Sequence, residues 1–142
     1  MKALQKKAEY YPHVDKSHIF DEGYLSLDSH HCRANTIDLT IIPIGKKLHE
    51  VKKIKRQLKD GAEVLYLDDG SCDMYTSFDY FGPASHPGNN DLIPDKEALK
   101  YRAILYDAMA SVGFVVSSRE WWHFSFKSDA PFQRYDFEVK RY

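Results

Sequence analysis

Two short stretches of this chain carry the residue types from which a hydrolytic metal site is built. Between Ser29 and Asp38 it gathers a hydroxyl, two imidazoles, a thiol and a carboxylate, on Ser29, His30, His31, Cys32 and Asp38. Far downstream Glu120 and His123 stand three apart around Trp121 and Trp122. Two imidazoles and a carboxylate suit a borderline divalent ion such as zinc. A catalytic zinc site often uses three protein ligands and leaves the fourth position to water, whose pKa falls to about 7 on the ion. On that reading His31, Asp38 and His123 are the ligands, and Glu120 takes the proton from the bound water. The structural alternative is plainer: a hydrogen-bonded His31, a turn-ending Asp38, and Glu120 paired with Arg119 or Arg102.

The first stretch sets a geometric condition. In residues 36–42, Ile37, Leu39 and Ile41 alternate with Asp38 and Thr40, as in a strand with one buried face. Asp38 then points away from its apolar neighbours, where an unpartnered carboxylate would be costly. His31 lies seven residues earlier, and an odd separation on one straight strand puts side chains on opposite faces. Residues 32–35 must therefore turn the chain if His31 and Asp38 are to meet. Adjacent residues on an extended chain also diverge, which argues against Cys32 and His30 as further ligands.

The elements that must hold these residues follow from pattern. Residues 1–11 read as the end of a helix stopped by Pro12, and Gly23 marks a turn before a short alternating run at 24–27. Leu48, Val51, Ile54 and Leu58 fall on one face at helical spacing, which predicts a helix over 46–59 ended by Asp60-Gly61. Its seven Lys and Arg residues read as a solvated face. Residues 63–67 read as a strand, and Asp68-Asp69-Gly70-Ser71 as a hairpin-type turn. The clearest helix is 95–112, with Asp95 as N-cap, a stripe of Ala98, Tyr101, Leu105, Ala108, Met109 and Val112, and Gly113 as its stop. Strands are expected in the later part of 120–126 and over 135–139.

The 142 residues suffice for one domain, 1–142, with a real core. Hydrophobic residues at 43% and charged residues at 29% place it among ordinary globular chains. A net charge of −1 argues against a general nucleic-acid binder. No apolar run reaches membrane-span length, and the first residues lack a signal peptide's apolar core. The expected compartment is cytoplasmic, or periplasmic if a signal lies upstream of Met1. Two cysteines make no disulfide framework, and nothing sets an oligomeric state.

Taken together, the motifs resemble those of the zinc-dependent D-alanyl-D-alanine dipeptidases, the group that includes the vancomycin-resistance dipeptidases. Ser29-His30-His31 through Asp38 matches a Ser-x-His-x6-Asp pattern and Glu120 to His123 a Glu-x-x-His pattern. Residues 73–79 resemble an Asp-Met-Gly-Thr-x-Phe-Asp segment, Ser85-His86 follows in place, and Tyr135-Asp136-Phe137 fits the tail. The resemblance implies Zn²⁺ on His31, Asp38 and His123, with Glu120 as general base and then acid. It implies that Ser29 and Asp79 hold the free amino group of a small D-amino-acid dipeptide in peptidoglycan-related metabolism. An anionic Asp79 facing an ammonium would select for a free N-terminus.

The chain also departs from that pattern. Ala34 and Tyr75 stand where such chains carry Gly, with Tyr75 expected to narrow the pocket, and Thr36 stands where they carry Ala. No Arg precedes Arg33, so the upstream Tyr-Arg-Pro motif, whose Arg steadies the oxyanion, is missing and the N-terminus reads as truncated. Zinc binding with very weak turnover is therefore expected, unless a residue such as Arg33 replaces that Arg. A catalytically weak zinc-binding module and a peptidoglycan-stem D-alanyl carboxypeptidase are the alternatives. The expected fold is α+β, a mostly antiparallel sheet carrying the zinc site and packed against helices. Its core is expected from Ile37, Leu39, Ile41, Leu65, Leu105, Met109, Val115, Trp121 and Phe126.

Overall fold

The computed structural model of the chain describes residues 7–127, 133–136 and 138. It is an α+β arrangement of two small antiparallel sheets and one long helix. In chain order the elements are α1 (Lys7–Tyr10), β1 (Thr36–Asp38), β2 (Lys52–Gln57), β3 (Glu63–Asp68), α2 (Lys96–Ser111), β4 (Phe114–Val116) and β5 (His123–Phe126). One sheet has the order β1-β5-β4 and the other is the hairpin β2-β3.

The three-stranded sheet divides core from site. Alternation along β5 sends Phe124 and Phe126 to one face and His123 and Ser125 to the other. The register places Asp38 opposite His123, Ile37 opposite Phe124, and Val116 opposite Phe124 on the far side. On the core face Phe124 is 1% exposed and shares a cluster with Leu105 and Met109 of α2, Leu39, Ile41, Phe114, Val116 and the two tryptophans. On the other face stand Asp38 and His123. Three residues expected in the core are in fact exposed. Val115 lies opposite Ser125, on the site side, while Ile37 and Phe126 lie at the sheet's margin.

Helix α2 begins where its sequence says it should. The Asp95 carboxylate accepts from the N–H groups of Glu97 (2.7 Å) and Ala98 (3.3 Å), which leaves fewer amides of the first turn unpaired. Gly113 ends it at φ +88°, and a Cβ there would sit 3.0 Å from the Phe126 ring. Ala98 and Leu105 of the expected stripe are buried, whereas Ala108 and Val112 are exposed.

The helix expected over 46–59 does not form. Residues 52–57 are extended and pair along their whole length with β3, from Lys52 opposite Asp68 to Gln57 opposite Glu63. Of the four apolar residues that suggested a helical stripe, only Leu58 is buried; Leu48, Val51 and Ile54 are exposed. What decides the matter is tertiary. Arg56 forms a two-pronged ion pair with Asp73, with Nη1 to Oδ1 at 2.7 Å, and lies 3.8 Å above the centre of the Tyr66 ring. Those contacts and a β-sheet partner outweigh an intrinsic helical preference of a few tenths of a kcal/mol per residue. The turn that closes the hairpin uses Gly61 at φ +89° and an Asp60 carboxylate accepting from Ala62 N–H at 3.0 Å.

Residues 24–27 do not form a strand, and residues 68–71 make a tight turn that leads into a non-strand segment. In the expected strand at 135–139, Tyr135, Asp136 and Glu138 are not in a strand, and Phe137 and Val139 lie outside the described residues.

Candidate metal centre

The turn that the His31–Asp38 spacing requires is present. Residues His30–Arg33 form a short 3₁₀ helix capped by Ser29, whose Oγ accepts from His31 N–H at 3.3 Å. Ala34 ends it in the left-handed region at φ +56°, its N–H bonded to the His31 carbonyl at 3.2 Å. The chain then enters β1. A non-glycine residue there costs about 1 kcal/mol, and Ala34 adopts the conformation regardless. His30 and Cys32 diverge from His31 because neighbours on a 3₁₀ helix lie about a third of a turn apart. An extended chain is not the cause.

The second half of the site comes from the loop into β5. Leu39 N–H bonds to the Trp122 carbonyl at 3.0 Å, extending the β1-β5 pairing beyond Asp38. Trp121 and Trp122 are 2% and 1% exposed and pack edge to face, and the Trp121 indole N–H donates to Thr76 Oγ1 at 2.9 Å. Glu120 and His123 are thus held by a dry, rigid base.

His31, Asp38 and His123 meet. Asp38 Oδ1 lies 3.3 Å from His31 Nε2 and 3.1 Å from His123 Nδ1, and one donor atom from each residue falls within 4.8 Å of the others. Donors on a tetrahedral zinc at about 2.0–2.1 Å stand about 3.3–3.4 Å apart, so the two carboxylate–imidazole spacings fit such an ion. Cys32 and His30 are not in the cluster. Glu120 Oε2 is 3.5 Å from His123 Nδ1. Neither Arg119 nor Arg102 forms an ion pair with Glu120 among the described contacts. Arg102 is fully buried and donates to the carbonyls of Met74 and Ala84, and Arg119 lies over the Tyr24 ring.

These groups line one cleft of about 460 Å³, together with Ser29, Asp79, Tyr24 and Trp122. Its inner end is closed, with the side chains of His123 and Glu120 about 15% exposed, while that of His31 is 42% exposed at the mouth. Burial drives the Glu120 carboxyl up to about 7, with His123 pulling it back and Asp38 and Asp79 adding to the rise. His123 is raised above the ordinary imidazole value, first by its hydrogen bond to Asp38, against the burial that lowers it. The Asp79 carboxyl is also raised, by burial and then by the charge of Asp38. Three carboxylates facing one space favour a cation or a proton there.

Tyr75, expected to narrow the pocket, does not line the cleft. At φ +71° its ring turns into the core and its hydroxyl donates to the Gln57 carbonyl. Tyr24, by contrast, was not singled out by the sequence. It forms a buried wall of the cleft, its hydroxyl 3.2 Å from His86 Nε2 and its ring stacked on Phe81. The only sequence sign of this was the turn at Gly23.

Three converging ligand-type side chains with a half-buried carboxylate beside them form a group that could hold a divalent ion. Residues 62–141 match the D-ala-D-ala dipeptidase family, Peptidase M15, and the chain belongs to that family. It is 31% identical over 134 residues to a D-alanyl-D-alanine dipeptidase of Streptomyces coelicolor, a match covering 94% of this chain and 54% of that one. The corresponding enzyme of Enterococcus faecium is 28% identical over 136 residues, covering 94% and 55%. That of Enterococcus faecalis is 29% identical over 119 residues, covering 83% and 46%. The chain spans about half the length of the curated relatives it matches. Among the described residues no helix is long and apolar enough to cross a membrane.

Proposed function

We propose that this chain is a single-domain zinc-dependent dipeptidase that hydrolyses D-alanyl-D-alanine, with His31, Asp38 and His123 as ligands and Glu120 as general base and acid. The observation that carries the reading is the meeting of the three donor sets around Asp38 Oδ1, with Glu120 buried beside them. The family and the names of its relatives supply the substrate.

Zinc on these residues would polarise the scissile carbonyl and acidify a water. Glu120 would accept the water's proton and return it to the leaving amine, and its burial favours the protonated form that the second step needs. With the ion bound, Asp38 Oδ1, His31 Nε2 and His123 Nδ1 would each turn a lone pair to it; the two imidazole nitrogens now lie 3.3 and 3.1 Å from the carboxylate oxygen. Asp79, on the same cleft, faces the ammonium of the dipeptide, and Ser29 adds a hydroxyl while capping the turn that presents His31.

One observation favours a slower variant of this reading. None of the cleft-lining residues among those described is Lys or Arg, and Arg33 lies outside the lining, 3.6 Å from Asp28. A developing oxyanion has no guanidinium from these residues, and one missing donor typically costs about 10²–10³ in rate. The test is D-Ala-D-Ala hydrolysis by the zinc-loaded chain, with zinc content measured in parallel. Zinc binding with turnover abolished by Glu120→Ala supports the dipeptidase. Zinc binding with no turnover supports the inactive module. Absence of bound zinc, or unchanged zinc affinity in His123→Ala, refutes the ligand set.

A further inference from the structure

Two of the three ligand-type residues stand on the sheet, and the third does not. Asp38 and His123 are cross-strand partners, backed by the buried Phe124. His31 sits on the 3₁₀ turn, and no residue from Leu25 to Asn35, between the buried Tyr24 and β1, is itself buried. The same segment forms part of the cleft's lining, through Leu25, Ser26, Asp28, Ser29 and His30. Apolar burial therefore does little to fix His31, and a segment held so lightly opens easily.

What reaches this segment from afar is the tail. Tyr135 N–H donates to the Cys32 carbonyl at 2.8 Å, one residue beyond His31. Arg134 Nη2 donates to the Leu27 carbonyl at 2.9 Å, across 107 residues of sequence, and stands 2.9 Å from Asp28 Oδ1. Asp28 Oδ2 lies in turn 3.6 Å from Arg33 Nη2, at the end of the same turn. The tail thus grips the chain on both sides of His31. Among the described contacts no other distant part of the chain hydrogen-bonds to the backbone of residues 25–32. A ligand on a mobile segment binds its ion only in the fraction of molecules where that segment is in place, and the apparent affinity falls by that fraction.

We propose that Arg134 and the Tyr135 backbone N–H are positioning groups for the metal centre: they strap down the turn that carries His31, so that the third ligand is in place before the ion arrives. The consequence for zinc rests on the ligand set of the dipeptidase reading, whereas the strap on the turn does not. Arg134 and Asp28 are both half exposed, so each bond is expected to contribute a few-fold in affinity and the two together more.

The test uses the full chain, first without metal. Arg134→Ala, and Tyr135→Pro, which removes the donor N–H, should each speed hydrogen exchange about fivefold at the Cys32 and Ala34 amides, now bonded to Ser29 O and His31 O. Exchange in β5 and the melting temperature should stay at the parent's values. Zinc affinity, measured by competition with a chelator, should fall about fivefold in each variant and about tenfold or more in the double variant. Arg134→Lys, which keeps the charge, should recover part of the loss. Tyr135→Phe keeps the N–H, loses only the hydroxyl 3.3 Å from Gln133 Oε1, and should match the parent. In about 1 M salt the Arg134→Ala effect should shrink and the Tyr135→Pro effect should persist, because only the first removes an exposed charge. Unchanged exchange at Cys32 and Ala34 in the double variant overturns the strap. A fall in melting temperature with faster exchange throughout β5 reduces the tail to a general structural role and overturns the proposal too. Faster exchange at the turn with unchanged zinc affinity overturns the positioning of the metal centre. If His31→Ala then also leaves zinc affinity unchanged, it is the ligand set that has failed, and the strap on the turn stands.

Discussion

Arg102 is the residue whose removal should damage this molecule most without touching the metal ligands. Its guanidinium is wholly buried and has no carboxylate partner among the described contacts. Nε and Nη2 donate to Met74 O at 3.0 and 2.8 Å, and Nη2 donates also to Ala84 O at 2.9 Å and Thr76 Oγ1 at 3.2 Å. It thereby ties α2 to the segment that carries Asp79 and Phe81. Arg102→Met strands two buried carbonyls at about 1–3 kcal/mol each, a sum of about 2–6 kcal/mol. Against that, the charge itself is expensive where it sits: burial lowers its pKa to about 10. A net loss of about 3 kcal/mol is expected, a large part of the about 5–15 kcal/mol typical of a domain. At about 2–4 °C per kcal/mol it should lower the melting temperature by about 6–12 °C. Urea unfolding of both proteins measures the difference. Arg102→Lys, one nitrogen in place of a planar fork, should recover less than half of it. A loss under about 1 kcal/mol for Arg102→Met would show that the relief of the buried charge outweighs the clamp, and refute the argument.

Other consequences can be measured separately. Glu120→Gln should leave zinc stoichiometry at one per chain by metal analysis and lower kcat by about 10²–10⁴, the usual range for a lost general base. The rate should fall about tenfold per pH unit below an acid limb at or under about 7, since the base must be ionised and a bound cation lowers its pKa further; a flat profile from pH 8 to 5 contradicts the assignment. In the metal-free chain the sign on stability is opposite. A Glu120 pKa raised above its unfolded value contributes stability that is full below about 4.5 and lost as pH rises through about 7, so Glu120→Gln should stabilise the apoprotein above pH 7 in urea melts. Asp95→Ala should cost about 1 kcal/mol in the same assay through the lost N-cap.

What was legible in the chain was the local part of the structure. Pro94, Asp95 and Gly113 bracket α2 because caps act within a few residues, and the alternation around Phe124 marks β5 for the same reason. The turn between His31 and Asp38 followed from strand parity alone. Two things were not legible, and both are long-range. The segment 46–59 carries its apolar residues at helical spacing, but its fate rests on Asp73 and Tyr66, residues to which nothing local links Arg56. Arginine is almost never fully buried, so the stripe of α2 gave no sign that Arg102 would lie at 0% exposure among carbonyls from two other segments. Ser29 was placed in the cleft by analogy, and only the folded chain shows its hydroxyl capping the turn.

The cleft and the core are specified by the same register. Because side chains alternate along a strand, a one-residue slip between β1 and β5 would set Ile37 against His123 and carry Asp38 to the core face. Phe124 at 1% exposure, with Leu39 and Ile41 packed in the same cluster, makes that slip costly. The position of the Asp38 carboxylate, 3.1 Å from one imidazole and 3.3 Å from the other, is therefore enforced from the opposite side of the sheet by residues that touch no ligand. Left-handed residues do the remaining work. Ala34 turns the chain between His31 and β1, and Asp79, at φ +56°, lines the cleft that His31, Asp38 and His123 share. Strain of about 1–3 kcal/mol at such positions persists only where the surrounding structure over-determines it. Here it falls on residues that set the direction of the chain at the cleft, so relieving it would release the side chains on which the chemistry depends.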